Sequence, residues 1–304
     1  MFPQHRASLL FSLIIFSVQT GRDCCQKHSI TRTMPVQPFS LISWNVNSVR
    51  KRLDQLIRVI DRWDPDIICL QELKAGIDMV PVDAIAAAGY EHHAMAAQPG
   101  YNGVAILSRL PLTDIETFAW ADRQDARHVF ARVASTGVGV HCVYVPAGGD
   151  VPDRIANPKF DFKLRYLDAL ADHFAGSYGF RDPMILAGDL NVAPLPNDVW
   201  SHTKLKNVIT HTEIEIAALE RVKRSLNWID TQRELVGDDD PVFTWWSYRA
   251  ADWESTNKGR RLDHIWVTPG LKDDIADVEV LTAVRHWSPP SDHAPVRLVL
   301  GTNP

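Results

Sequence analysis

Six short stretches of this 304-residue chain set a reactive polar side chain at the end of an apolar run. Asn45 follows Leu41-Ile42-Ser43-Trp44, and Glu72 follows Ile67-Ile68-Cys69-Leu70-Gln71. Tyr144 lies in His141-Cys142-Val143-Tyr144-Val145-Pro146. Asp189 and Asn191 follow Met184-Ile185-Leu186-Ala187-Gly188. Asp263 precedes Ile265-Trp266-Val267, and Asp292-His293 precede the run from Val296 to Leu300. Side chains repeat every two residues along a strand, so an extended Asp189-Leu190-Asn191 would aim a carboxylate and a carboxamide at one point. A buried acid without a task is costly. An acid that takes a proton from water, beside an uncharged donor for a phosphate oxygen, suits metal-assisted phosphodiester hydrolysis. Each stretch alone also reads as a turn or a cap, since Asp and Asn often close strands. Together they supply hard oxygen ligands for one Mg²⁺, a general base and a histidine–carboxylate couple. No Cys/His spacing suits zinc, and no Gly-x-Ser-x-Gly marks a serine nucleophile.

The elements that must carry these groups follow from apolar periodicity. Strands are expected at 39–44, 67–70, 103–107, 128–133, 138–145, 184–187, 242–246, 262–267, 278–284 and 296–300. Val49, Leu53, Leu56, Ile57, Ile60 and Trp63 mark an amphipathic helix that Asp64-Pro65-Asp66 ends. Shorter helices are expected near 82–88, stopped by Gly89, and near 213–222. Phe160, Leu164, Leu167, Leu170 and Phe174 mark another. Strands and helices alternate without a Gly-rich phosphate loop or a repeat, and no long polar linker divides them. One α/β sandwich is therefore expected.

The net charge of −5 and pI of about 6.2 give no global signature of nucleic-acid binding, although a local basic face would suffice. Of four cysteines, Cys69 and Cys142 sit inside apolar runs and read as buried thiols. Residues 1–33 differ from the rest. Their apolar stretch from Leu9 to Val18 is too short to span a bilayer and fits a signal-peptide core, but no small-x-small cleavage site follows. The expectation is that residues 1–33 stand outside the fold, that translation begins at Met34, and that 34–304 form the catalytic domain.

Trp44-Asn45-Val46-Asn47-Ser48, Leu70-Gln71-Glu72, Tyr144-Val145-Pro146, Gly188-Asp189-Leu190-Asn191, Arg261-Leu262-Asp263 and Ser291-Asp292-His293 occur in the order of one known family. From about Phe39 to Leu300 the chain resembles the exonuclease III family of abasic-site endonucleases, in the endonuclease/exonuclease/phosphatase superfamily. Tyr144-Val145-Pro146 and the stretch from Thr244 to Arg249 resemble its DNA-repair branch rather than phosphodiesterases for lipids or inositol phosphates. The resemblance implies a four-layer α/β sandwich, two mixed β-sheets face to face with helices outside. It implies Glu72 as the main metal ligand with Asn45 and Asp292 near it, and Asp189, Asn191 and His293 facing the same ion. Asp189 would activate water, Asn191 would hold the scissile phosphate, and His293, oriented by Asp263, would stabilise a non-bridging oxygen. Tyr144 would stand near the phosphate or leaving group. The implied cofactor is Mg²⁺, with Mn²⁺ as a substitute. The implied activity is cleavage 5′ to abasic sites and removal of nucleotides from 3′ ends, leaving a 3′-hydroxyl. The implied partner is double-stranded DNA with abasic sites or 3′ ends, met by a cytoplasmic monomer without membrane contact; export is the alternative if residues 1–33 act as a signal. Arg127, Trp245, Arg249, Arg260 and Arg261 are the expected DNA-binding residues. Two departures stand out. Ala147-Gly148-Gly149 follows Tyr-x-Pro where the family often has Asn, and Arg260 stands where some relatives place an apolar or aromatic residue against the abasic sugar.

Overall fold

The structure is a computed structural model that describes residues 38–249 and 252–301. The expectations for residues 1–33 lie outside that range. In chain order the elements are β1 (Phe39–Asn45), α1 (Leu53–Trp63), β2 (Ile67–Gln71), α2 (Val82–Ala87), β3 (His92–Ala96), β4 (Val104–Ser108), β5 (Leu112–Thr117), β6 (His128–Val133) and β7 (Gly139–Tyr144). There follow α3 (Pro158–Ser177), β8 (Met184–Asp189), α4 (His202–Leu205), α5 (Glu213–Ser225), β9 (Ile229–Asp230), α6 (Thr231–Val236) and β10 (Trp245–Trp246). The last are α7 (Trp253–Thr256), β11 (Gly259–Arg260), β12 (Asp263–Val267), β13 (Ile275–Val280) and β14 (Val296–Leu300).

One sheet has the order β13-β14-β1-β2-β4-β3 and the other β5-β6-β7-β8-β12-β9. Each holds one parallel pair, β1 with β2 and β7 with β8, among antiparallel neighbours. The alternation of each strand explains the layers. Leu41, Cys69 and Ile106 of the first sheet meet Val140, Cys142, Ile185 and Ala187 of the second. The other faces hold Ile42, Trp44 and Leu70 against Leu56, Val59 and Ile60 of α1, and Val143, Leu186 and Trp266 against Leu167, Phe174, Leu219 and Val222 of α3 and α5. Each such aliphatic side chain contributes roughly 1.5–3 kcal/mol on burial. This is the four-layer sandwich the resemblance implied, and Cys69 and Cys142 are buried thiols as expected.

Four strands have no counterpart in the sequence reading: β3, β5 and the two-residue β9 and β11. β3 and β5 are edge strands, β3 mostly half-buried and β5 largely exposed, so no apolar run announces them. β10 is only two residues long, and β13 starts at Ile275 and ends at Val280, with a 3₁₀ turn at Thr282–His286 in place of further strand. Among the described residues no helix is long and apolar enough to cross a membrane.

Candidate active site

The polar ends of the strands converge where the two sheets meet. Asn45 lies opposite Gln71 at the ends of β1 and β2. Asp189 is flanked by Tyr144 on one side and Asp263 on the other, because β8 runs between β7 and β12. Ile185 and Ala187 face the opposing sheet, and Asp189 continues that row past its apolar end. Gly188 makes this approach possible: a Cβ there would lie 1.9 Å from the Val143 carbonyl oxygen.

Asp189 and Asn191 converge by a different route from the extended one expected. β8 stops at Asp189, and Asn191 is left-handed with φ 52°. Its backbone N–H donates to Asp189 Oδ1 at 3.0 Å, and its Nδ2 donates to Asp189 Oδ2 at 3.3 Å and to the Val145 carbonyl at 2.9 Å. The turn and the functional pair are thus one structure. Glu72 and Asn47 are left-handed too, with φ 55° and 46°. Such backbone costs of order 1–3 kcal/mol per residue and gathers where side chains must be aimed.

Around this centre the groups form one connected network. Asn45 Nδ2 donates to Glu72 Oε1 at 3.0 Å and to Asp189 Oδ2 at 2.9 Å. Tyr144 donates its hydroxyl to Glu72 Oε1 at 2.8 Å. His293 Nδ1 lies 2.8 Å from Asp263 Oδ2, while its Nε2 lies 3.7 Å from Asp189 Oδ2. Thr244 Oγ1 donates to Asp263 Oδ2 at 2.6 Å and accepts the N–H groups of Leu262 and Asp263. Trp245 Nε1 and Asn47 Nδ2 hold the two oxygens of Asp292 at 3.0 and 2.9 Å. Glu72, Tyr144, Asp189, Asn191, Asp292 and His293 line a hollow of about 550 Å³, with Trp245, Arg249, Arg260 and Leu262 on its walls.

The charges follow from burial and neighbours. Burial disfavours the His293 cation, but Asp263 and Asp189 outweigh it and raise His293 well above the ordinary histidine range. With Nδ1 turned to Asp263, the charged ring can only offer Nε2–H to the hollow. Burial, aided by the charges of Asp263 and Glu72, lifts Asp189 above the usual carboxylate range against the pull of His293 and Asn45. Burial also pushes Glu72 upward, yet the Lys74 ammonium and the Asn45 amide hold it below its ordinary value. Asp292 is likewise lowered, with His293, Asn47 and Trp245 overcoming burial.

Two groupings could serve a cation. Asp189, Asp263 and His293 place ligating atoms within 4.8 Å of one another. Asp263 Oδ2 and His293 Nδ1 are already joined by a hydrogen bond, so this triad reads as a base, an imidazolium and its orienting acid. The other grouping is Glu72 Oε2 and Asn47 Oδ1, with the Asp292 carboxylate bonded to the same Asn47 amide. Here the Lys74 ammonium sits 2.6 Å from Glu72 and 2.7 Å from Asn47. These oxygens already hold a positive charge, and hard oxygen donors of this kind suit Mg²⁺.

Some expected residues take other roles. Asn45 is fully buried; its Nδ2 holds the two carboxylates and its Oδ1 accepts the Asn47 N–H, so it is a spacer between Glu72 and Asp189 rather than an open ligand. Asn191 commits its amide nitrogen to Val145 and Asp189, leaving Oδ1 without a partner from the protein. Arg261 is withdrawn from any DNA face: it is completely buried between Asp198 and Asp230. Arg127 binds Asp125 and the Tyr144 carbonyl and lies over the Tyr144 ring, so it props that tyrosine. Arg249 is exposed on the wall of the hollow. Arg260 lies over Trp245, its guanidinium tied to Ile209 and Thr210. Trp246, unlike Trp245, is buried. Lys74, Asn47 and Thr244 received no role from the sequence. Lys74 and Asn47 each lie two residues beyond an expected site residue, and that spacing was their signal.

Residues 42–293 match the Endonuclease/Exonuclease/phosphatase family. Exodeoxyribonuclease III of Haemophilus influenzae is 28% identical over 273 residues, which cover 85% of this chain and 98% of that protein. The AP endonuclease of Archaeoglobus fulgidus superposes with a TM-score of 0.81 at 30% identity, over 87% of this chain and all of that one. A Neisseria 3′ phosphatase, NExo, solved with a product DNA hairpin, superposes with a TM-score of 0.79 at 31% identity, over 87% of this chain and all of that one.

Proposed function

Because the chain belongs to the Endonuclease/Exonuclease/phosphatase family, we propose that this phosphodiester hydrolase is a DNA-repair nuclease of the exodeoxyribonuclease III type. It cuts duplex DNA 5′ to abasic sites and removes nucleotides from 3′ ends, leaving a 3′-hydroxyl. The observation that carries this reading is Asp189, a raised carboxylate held by Asn45 and Asn191 and set 3.7 Å from the His293 imidazolium.

In this mechanism the scissile phosphate enters the hollow between His293 and Tyr144. Asp189 takes the proton of the attacking water; a carboxylate shifted upward accepts a proton better than an ordinary one. His293 donates Nε2–H to a non-bridging oxygen and offsets its growing charge, while Asp263 keeps the ring charged and oriented. Glu72 and Asp292, with the side-chain amide oxygen of Asn47, would hold Mg²⁺, which supplies charge neutralisation at the phosphate and the leaving oxygen when bound. Lys74, now on that Glu72 oxygen, would yield its place there to the ion. Tyr144 keeps the Glu72 carboxylate turned toward that site. Trp245 and Arg260 form the wall that meets the sugar, and Arg249 meets backbone phosphate. The catalytic domain begins at Met34 in this reading and acts as a cytoplasmic monomer.

The test is incubation with an abasic duplex and with a 3′-recessed duplex, each with Mg²⁺ and with EDTA. Cleavage of both with Mg²⁺, to ends that a polymerase extends, is expected. Cleavage of neither would overturn the reading.

A further inference from the structure

Lys163 lies on α3 with its side chain completely buried, and its ammonium touches three chain segments. It donates to the carbonyl of Asn191 at 2.7 Å, reaches the Ala147 carbonyl at 3.5 Å, and is bonded to the Glu215 carboxylate of α5. Glu215 is itself completely buried. Its two oxygens accept the N–H of Thr210 at 3.0 Å each, and one accepts the N–H and hydroxyl of Thr212 at 3.2 and 2.6 Å. Thr210 in turn accepts Arg260 Nη1 on its hydroxyl at 2.7 Å and the Ala193 N–H on its carbonyl at 2.7 Å.

Ala147, Asn191, Thr210 and Arg260 all line the catalytic hollow. The pair therefore sits directly behind the wall that faces substrate. Its two principal clients are strained. Asn191 has φ 52° and Thr210 has φ 87°. For a β-branched residue such as Thr that conformation is an outlier, and it persists only where the surroundings over-determine it. Helices α3 and α5 already pack through Leu167, Leu170, Leu219 and Val222. A buried ion pair is weak as a source of stability, and an apolar pair would serve that interface as well. An apolar pair could not direct hydrogen bonds at chosen backbone atoms, whereas an ammonium supplies three donors and a carboxylate several acceptor sites.

We propose that the buried Lys163–Glu215 pair is a positioning device for the reaction, holding the turn at Asn191 and the Thr210–Arg260 wall in register with Asp189 and His293. This rests on the nuclease reading above. Lys163 pins the carbonyl side of the turn whose N–H and amide hold the Asp189 carboxylate. Glu215 pins the Thr210 peptide that carries Arg260. Neither residue touches the hollow, so each acts through the groups it holds.

The test compares wild type with Lys163→Met and with Lys163→Met/Glu215→Gln, in which no charge is left unpaired and Thr210 keeps only one of the two oxygens that held its N–H. Four quantities are read: the melting temperature, amide exchange at Ala193 and Thr210, duplex affinity in EDTA, and the single-turnover cleavage rate with Mg²⁺. Positioning predicts nearly unchanged duplex affinity, faster exchange at Ala193 and Thr210, and a single-turnover rate lower by about ten- to a hundred-fold, the scale for a misplacement near 1 Å. Should Lys163→Met fail to fold, the double variant carries the same prediction. A folded variant that melts lower but cuts at the wild-type rate would overturn the proposal and leave the pair a structural one. If wild type itself cuts no duplex, the nuclease reading fails instead, and unchanged exchange at Ala193 and Thr210 would still overturn the positioning claim.

Discussion

Replacing Arg261 by Met should damage the fold rather than DNA binding. The guanidinium donates to both oxygens of Asp198 at 2.6 and 3.1 Å, to both oxygens of Asp230 at 3.0 and 2.8 Å, and to Gln232 at 3.2 Å. Its backbone N–H binds the Asp198 carbonyl at 2.7 Å, which ties the network to the chain two residues before Asp263. After the substitution Arg233 still pairs with Asp198, but Asp230 loses its cation. Stranding a buried charge in this way costs about 3–5 kcal/mol. For a domain of this size each kcal/mol lowers the melting temperature by roughly 2–4 °C, so a fall of about 6–20 °C is expected at neutral pH. Both carboxylates are pushed up by burial, yet Arg261 outweighs it and holds them below the ordinary range. Their contribution is therefore present above the unfolded carboxylate value near 4, to order of magnitude, and is lost as pH falls through the lower native values. The difference between wild type and variant should narrow in strong acid. Thermal melts across pH, with duplex binding against salt, check this. A melt shifted by less than about 2 °C, together with a salt slope reduced by about one, would show that Arg261 contacts phosphate and would refute the reasoning.

Gly188→Ala should leave little soluble protein, because the new methyl would meet the Val143 carbonyl at 1.9 Å and part β7 from β8; expression and melting show it, and a near-normal melt contradicts it. His128 and His141 are fully buried, and burial, the neighbouring imidazoles and, for His141, Arg132 lower both well below the ordinary value. The native state keeps them neutral, so their stability is present above the unfolded value of about 6.5 and is lost as pH falls below it, by up to about 1.4 kcal/mol per group per pH unit. Urea unfolding at pH 8, 6 and 5 should show that decline, and His141→Phe should flatten it. Arg249→Ala should lower duplex affinity across all sequences and reduce the salt slope by about one, whereas an unchanged slope would remove Arg249 from the DNA face.

Most of the site was legible because its residues end buried strands. An apolar run locates the strand tip, and the polar residue beyond it has nowhere to point except into the junction of the two sheets. Glu72, Asp189 and His293 were found this way. What one chain position at a time could not show was partnership. Arg261 stands beside Arg260 in the sequence, yet the β12 start buries one between Asp198 and Asp230 and turns the other over Trp245. Lys163 sits in an amphipathic helix where a lysine ordinarily means solvent, and only the packing of α3 on α5 reveals its burial. The edge strands β3 and β5 escaped notice because strands left half-buried or exposed at a sheet edge need no apolar run.

The central claim is that Asp189 takes the proton from the attacking water. Asp189→Asn keeps the shape, and it leaves the Glu72 and Asp292 oxygens in place. Single-turnover cleavage of an abasic duplex with saturating Mg²⁺, set beside duplex affinity in EDTA, measures that claim most directly. A rate lower by about a hundred- to ten-thousand-fold with affinity retained is the predicted result. A rate within a few-fold of wild type would contradict it.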